Sequence, residues 1–214
     1  MFNELFWDIL DKNRKEILPL FNTFVPDFYL AGGTALALQL GHRDSIDFDF
    51  FTNKSFSTSE LYEKIEKTFE NHKILKTQDK KDTLTILIDG NIKISFFAYP
   101  YKLIKPLIDS EYFKIASIED IGCMKFSAIT SRSQKKDYVD LYFILQKVSL
   151  SKLFDFIKEK FPSLDINLVL KSLVYFNDIT DEPIAYKHNH EIDFELIKKS
   201  LEETVKSYLS KLSV

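Results

Sequence analysis

Residues 28–51 constrain the fold of this chain more than any other stretch. They begin Phe-Tyr-Leu-Ala-Gly-Gly-Thr-Ala-Leu-Ala-Leu and end Arg-Asp-Ser-Ile-Asp-Phe-Asp-Phe-Phe. That order predicts an apolar strand, a glycine turn, a short helix over 34–40 and a second strand carrying Asp47 and Asp49. A strand repeats every two residues, so Asp47 and Asp49 are expected on one face and Ile46, Phe48 and Phe50 on the other.

The two carboxylates are then about 7 Å apart, at two rises of about 3.3 Å each. Bare, they repel by roughly 2 kcal/mol at an effective dielectric of about 20. A divalent cation turns that cost into binding, and such pairs clamp one or two metal ions in phosphoryl transfer. The glycine turn fits the same chemistry. Gly32 and Gly33 let the backbone pass close to a ligand and adopt angles other residues avoid. Thr34 opens the expected helix, whose free N–H groups and dipole attract phosphate, and its hydroxyl is a further donor.

In this order the residues resemble the signature of the nucleotidyltransferase fold. More narrowly they resemble the abortive-infection toxin nucleotidyltransferases of the AbiEii/AbiGii family. The resemblance covers 31–51 and a distal block of Lys125, Arg132 and Lys-Asp-Tyr-Val-Asp-Leu-Tyr-Phe at 136–143. It implies a Mg²⁺- or Mn²⁺-dependent enzyme that moves a nucleoside monophosphate from an NTP to an acceptor. Asp47 and Asp49 would hold the metal, Gly32, Gly33 and Thr34 the NTP, and Arg43 and Ser45 would sit beside the phosphates. Lys125 and Arg132, seven residues apart on one helix face, would hold the triphosphate, with Asp137 orienting a lysine or acting as base. The resemblance also implies a bacterial toxin of an abortive-infection (phage-defence) or toxin–antitoxin pair with a cognate antitoxin. It suggests RNA, tRNA among the candidates, as acceptor. A small molecule or a protein hydroxyl as acceptor keeps the same chemistry.

One position departs from the pattern. Many nucleotidyltransferases carry a third acid on a neighbouring strand, as the base that deprotonates the acceptor. The expected strand here is Asn-Ile-Lys-Ile-Ser-Phe-Phe at 91–97, and Ser95 stands where the acid belongs. Serine is no base near neutral pH without its own activator. Lys93, on the same face, is placed to neutralise phosphate charge instead. A catalytically silent nucleotide- or partner-binding module is therefore the alternative from a different class.

Each piece also has a plainer reading. Alternating acids and aromatics describe the wet face of an amphipathic strand, a Gly-Gly pair is commonly just a turn, and Arg43 and Ser45 can simply orient a loop. His42, beside Arg43, is placed to contact a nucleotide, although an ordinary loop histidine is the commoner reading. His188 and His190, in an expected loop over 177–193, lack a zinc-ligand pattern. Lys135 and Lys136 open a helix where the dipole prefers acids, a weak hint of an anionic ligand.

The rest of the chain is consistent with one α+β unit. Amphipathic helices are expected over 3–20 and from Ser57 or Thr58 to 71, and strands over 74–78, 83–88 and 91–97, with Asp89-Gly90 as a hairpin turn. From 118 the periodicity is helical: 118–131, 134–146, 150–160, 164–176 and 194–212. In the 134–146 helix Tyr138, Leu141, Tyr142 and Leu145 form the expected buried stripe, flanked by Asp137 and Asp140. This gives a nucleotidyltransferase-like mixed β-sheet flanked by helices over 1–115. A helical part over 116–214 packs on that core and completes the site. The net charge of −3 argues against a uniformly basic nucleic-acid coat, although lysines cluster at 73, 76, 80, 81, 102, 105, 135 and 136. Cys123 is the single cysteine and reads as a buried thiol. No apolar run reaches the ~18 residues of a membrane span and the start lacks a signal-peptide pattern, so a cytoplasmic protein is the expectation.

Overall fold

The computed structural model describes residues 5–212 and has the expected α+β architecture. Seven strands form one mixed sheet in the order β3-β4-β5-β2-β1-β7-β6. They are β1 (Tyr29–Ala31), β2 (Phe48–Thr52), β3 (Ile74–Lys80), β4 (Thr83–Ile88), β5 (Ile92–Ala98), β6 (Ile108–Asp109) and β7 (Lys114–Ile115). β1 runs antiparallel to β2, and β2 parallel to β5, which places Asp49 beside Ser95 and Phe51 beside Phe97. The β4–β5 hairpin turns at Asp89 and Gly90, both at positive φ, as an Asp-Gly turn requires.

One face of the sheet carries the core. Phe48 and Phe50 of β2 and Phe96 of β5 are fully buried there. Phe21 reaches down to within 4.8 Å of Phe48 and 5.0 Å of Phe50, ring centre to ring centre, and Phe24 to 5.3 Å from Phe96. Such tilted aromatic pairs add about 0.5–1.5 kcal/mol each beyond the area they bury. Ile46 does not join them. The strand starts at Phe48, and Ile46 precedes it with 55% of its surface exposed, so the period-two expectation fails there.

The N-terminal segment differs from the single helix expected over 3–20, of which residues 3 and 4 lie outside the described residues. It is a 3₁₀ turn (Trp7–Ile9), a short helix α1 (Lys12–Ile17) and a second 3₁₀ stretch (Leu18–Phe24). Asp11 caps α1 by accepting from the Arg14 amide, and Pro19 opens the next stretch, so no continuous helical ladder crosses either point. The break turns Arg14 inward, where it donates to the carbonyls of Ile46 (2.6 Å) and Asn91 (2.7 Å) and ties together the starts of β2 and β5.

The later helices follow the apolar periodicity closely. After α2 (Gly32–Leu40) and α3 (Thr58–Thr68) come α4 (Ile118–Ile129), α5 (Lys135–Leu145), α6 (Leu150–Lys160), α7 (Ile166–Leu173) and α8 (Phe194–Leu212). α7 is shorter than expected: Asp165 caps its start, accepting from the Asn167 amide, and the helix ends at Leu173. Among the described residues no helix is long and apolar enough to cross a membrane.

A buried ion pair fastens the segment after β5 to the helices. Asp120 on α4 accepts from Lys160 Nζ on α6 (2.7 Å), from the Ser117 hydroxyl (2.9 Å) and from the amides of Ile104 and Lys105, while Lys160 also donates to the Lys102 carbonyl. Both side chains are fully buried. Removing one partner strands a buried charge, so Asp120→Ala is expected to destabilise the fold by about 3–5 kcal/mol. The check is a lower denaturant midpoint at unchanged slope.

Candidate active site

The glycine turn is shaped by what lies against it. Gly32 has φ +73°, and a Cβ there would stand 3.2 Å from an Asp49 carboxylate oxygen. A Cβ on Gly33 would stand 2.8 Å from Arg43 Nη2 and 3.2 Å from Ser45 Oγ. Both glycines thus make room for the acid strand and the loop before it. The helix they open starts two residues before the expected Thr34 and ends on Gly41 at φ +65°. The Thr34 hydroxyl is turned inward: it donates to the Asp47 carbonyl and lies 2.8 Å from Ser45 Oγ, which donates to it. Thr34 and Ser45 therefore hold the turn that presents Asp47, and the threonine proton is committed there rather than offered to a ligand.

On the sheet's open face Asp49 and Ser95 stand side by side on neighbouring strands. Lys93 Nζ is 3.5 Å from Asp47 Oδ2. Burial pushes the Asp49 carboxyl up, the Asp47 charge adds to this, and Lys93 only partly opposes it. An acid pair with uncompensated charge and hard oxygen donors suits a divalent cation. Among the described residues no group of three or more His, Cys, Asp or Glu gathers to hold a metal alone. Mg²⁺ commonly takes one or two carboxylates and completes its shell with water and substrate phosphates, so this pair fits an ion that shares its ligands with a substrate.

The facing wall is built on two buried carboxylates. Asp137 accepts from Lys125 Nζ (2.7 Å) and from the Arg132 fork (2.7 and 3.1 Å). Asp140 takes the Arg43 guanidinium on both oxygens (2.7 and 2.8 Å), His42 Nε2 (2.8 Å) and Lys125. Burial alone would raise both carboxyls. For Asp137 the Lys125 and Arg132 charges, and for Asp140 those of Arg43 and Lys125, hold them below the usual carboxylate range, Asp140 well below. Burial likewise lowers the His42 pKa and keeps its ring neutral, donating from Nε2 with Nδ1 unpartnered. His42 is thus a fully buried anchor within its loop rather than an ordinary solvent-facing loop histidine. Asp140 and Asp137, expected at the flanks of the α5 stripe, are among its most buried residues.

A cleft of about 940 Å³ separates these walls. Every residue singled out in the sequence for the site lines it except Asp137, which lies behind Lys125 and Arg132. Its rim is the irregular segment 177–193, which crosses from α7 to α8. The Asp44 amide donates to the Ala185 carbonyl (2.8 Å) and the Lys187 amide to that of His42 (3.1 Å). The lysines at the start of α5 meet acids of this segment: Lys135 pairs with Asp181 at 2.7 Å and Lys136 with Glu182 at 3.9 Å. His188 pairs with Asp8. Cys123 is buried and its thiol is pushed up to about 12 by burial, which leaves it inert.

Residues 20–212 match the sequence model of the family described as nucleotidyl transferase AbiEii toxin, type IV toxin–antitoxin system. The chain belongs to the AbiEii family. An uncharacterized protein of Aquifex aeolicus is 41% identical over 189 residues, which are 86% of this chain and 88% of that one. JHP933 of Helicobacter pylori superposes with a TM-score of 0.59 at 21% identity, covering 98% of this chain and 95% of its own. The nucleotidyltransferase toxin MenT4 of Mycobacterium tuberculosis does so with a TM-score of 0.53 at 12% identity, covering 90% and 82%. These likenesses establish the nucleotidyltransferase fold.

In this AbiEii chain Asp140 is expected to carry a pH-dependent share of stability. A carboxyl held below its unfolded value contributes stability that is present above pH ~4 and lost as pH falls through the folded value. Asp140→Asn is expected to lower stability at pH 7 by about 3 kcal/mol or more, because Arg43 and Lys125 lose a buried counter-charge. It should also flatten the acid limb of the stability–pH curve, measured by denaturant titration from pH 7 to pH 3.

Proposed function

We propose that this chain is an active nucleotidyltransferase. It binds an NTP in the cleft between β2 and α4 and transfers the nucleoside monophosphate, with release of pyrophosphate, to an acceptor hydroxyl. The observation that carries the reading is the juxtaposition of three features. The glycine turn, the Asp47–Asp49 pair and the cations anchored on Asp137 and Asp140 all line one cleft. Bound Mg²⁺ would supply charge neutralisation and alignment of the α-phosphate against Asp47 and Asp49. Gly32 and Gly33 bring the start of α2 close to the phosphates. Lys125 and Arg132 stabilise the negative charge that grows on the departing pyrophosphate, held in place by Asp137. A carboxylate already neutralised by two cations is a weak base, so orientation is the better role for Asp137. With serine at 95 the acceptor proton passes to solvent, and slow turnover is expected.

The exposed edge strand β3 bears Lys76 and Lys80, flanked by Lys73 and Lys81, and Gln78 of that strand reaches the cleft. This favours an RNA acceptor, tRNA among them, over a small molecule or a protein hydroxyl. As a member of a type IV system the toxin would act in the cytoplasm against a cognate antitoxin. Ser95 favours the second reading, a catalytically silent module that binds nucleotide without transfer.

Labelled NTPs incubated with the protein, Mg²⁺ and total bacterial RNA separate the two: label transfer supports the enzyme, and Mg²⁺-dependent binding without transfer to any RNA or protein supports the silent module. Asp49→Asn is expected to be at least as stable as the parent, since one repulsive charge is gone, and to lose Mg²⁺-dependent NTP binding. Thermal shift with and without Mg²⁺-NTP reads both effects. Unchanged affinity in both Asp47→Asn and Asp49→Asn would overturn the metal assignment. Lys125→Ala should lower turnover by about 10²-fold or more.

A further inference from the structure

The open face of the sheet changes character along its strands. Asp47 just before β2 and Asp49 on it are followed by Phe51, and Lys93 and Ser95 on β5 by Phe97, and all six line the cleft. Phe51 and Phe97 are half-buried and 5.3 Å apart, and Tyr99 stands edge-on to Phe51 at 5.5 Å. Across from them α4 presents Met124 and Ala128, also half-buried. The contrast with the other face decides how to read these rings. Phe48, Phe50 and Phe96 of the same two strands are packed out of solvent, whereas these aromatics border open space. An apolar patch inside a cleft and rimmed by charge marks a ligand surface.

Direction along the strands identifies its occupant. Ala31, the residue before the glycine turn, pairs with Asp49, and Tyr29 pairs with Phe51. Moving from Asp49 to Phe51 therefore leads away from the phosphate-facing turn, by about 7 Å at two strand rises. A ribose spans such a gap. We propose that Phe51, Phe97 and Tyr99, closed over by Met124, form a platform for the nucleobase of the NTP. The proposal rests on the reading of the cleft as an NTP site. Stacking on aromatic faces tolerates every base, since each has a π-face, so the platform gives affinity for the nucleoside without choosing among bases.

The test compares NTPs with inorganic tripolyphosphate, which has the phosphates and no base, in isothermal titrations of the full chain with Mg²⁺ and no acceptor. Phe97→Leu keeps apolar volume and removes the flat ring, and Phe51→Leu does the same on the neighbouring strand; thermal melts confirm that each folds. The parent is expected to bind NTPs more tightly than tripolyphosphate. Each variant should lose about fivefold or more in NTP affinity, the loss of one stacking contact, with tripolyphosphate binding unchanged. The platform is overturned if the parent binds both ligands equally, or if both variants keep the parental NTP affinity; the NTP reading survives either result. A parent that binds neither ligand overturns that reading, and the platform with it.

Discussion

Asp140 has no surface of its own, yet it accepts from His42, from both arms of the Arg43 fork and from Lys125. Taking a carboxylate out of water costs several kcal/mol, and only close partners on every side offset that. Those partners come from the loop between α2 and β2 and from α4, while Asp140 belongs to α5. The carboxylate is thus the point at which strand-borne and helix-borne parts of the cleft are fastened together. Much of the local geometry depends on it. With Arg43 fixed on Asp140, its Nη2 lies against Gly33, where any side chain would collide with it. The same loop continues through Ser45, which braces Thr34, and Thr34 in turn holds the Asp47 carbonyl. The position of Asp47 is therefore set by hydrogen bonds that run back to a buried charge on a distant helix.

How much of this was legible in the sequence depended on the range of the interaction. The strand, turn, helix and acid strand were read from local period and glycine chemistry, and α6 and α8 begin and end where their apolar repeats do. The pairing of Lys125 with Asp137 was within reach because helical spacing puts Lys125 and Arg132 on one face. The depth of Asp140 was not. On α5 alone it looks like a flank, and what buries it arrives from His42 and Arg43, 98 and 97 residues earlier in the chain. Local pattern also misread Ile46, since it carries the strand period two residues past the strand's true start. It misread the N-terminal helix too, because it gave no weight to Asp11 as a cap. The strand period puts Phe51 on the face of Asp49 and Phe97 on that of Lys93 and Ser95, but it does not say whether that face is covered. Composition cannot tell a ring packed between layers from one on the open face of the same strand.

The charges of the cleft are sorted between its two walls. On the helix side Arg43, Lys125 and Arg132 face Asp137 and Asp140, with His42 neutral, which leaves one positive charge in excess. On the sheet side Asp47 and Asp49 face Lys93, which leaves one negative charge in excess. The two walls are oppositely biased across the cleft. Under the proposed reaction a cation belongs on the sheet and phosphate oxygens against the helices, and each wall is biased toward what it would receive. The buried carboxylates weaken the raw field of the cations, but they also hold Lys125 and Arg132 where they are, so little reorganisation is left for the moment of transfer. A surface lysine of the same charge would spend rotamer entropy and be screened by salt. Net charge is consequently a poor guide here, because the charge that matters is sorted between two walls a few side chains apart.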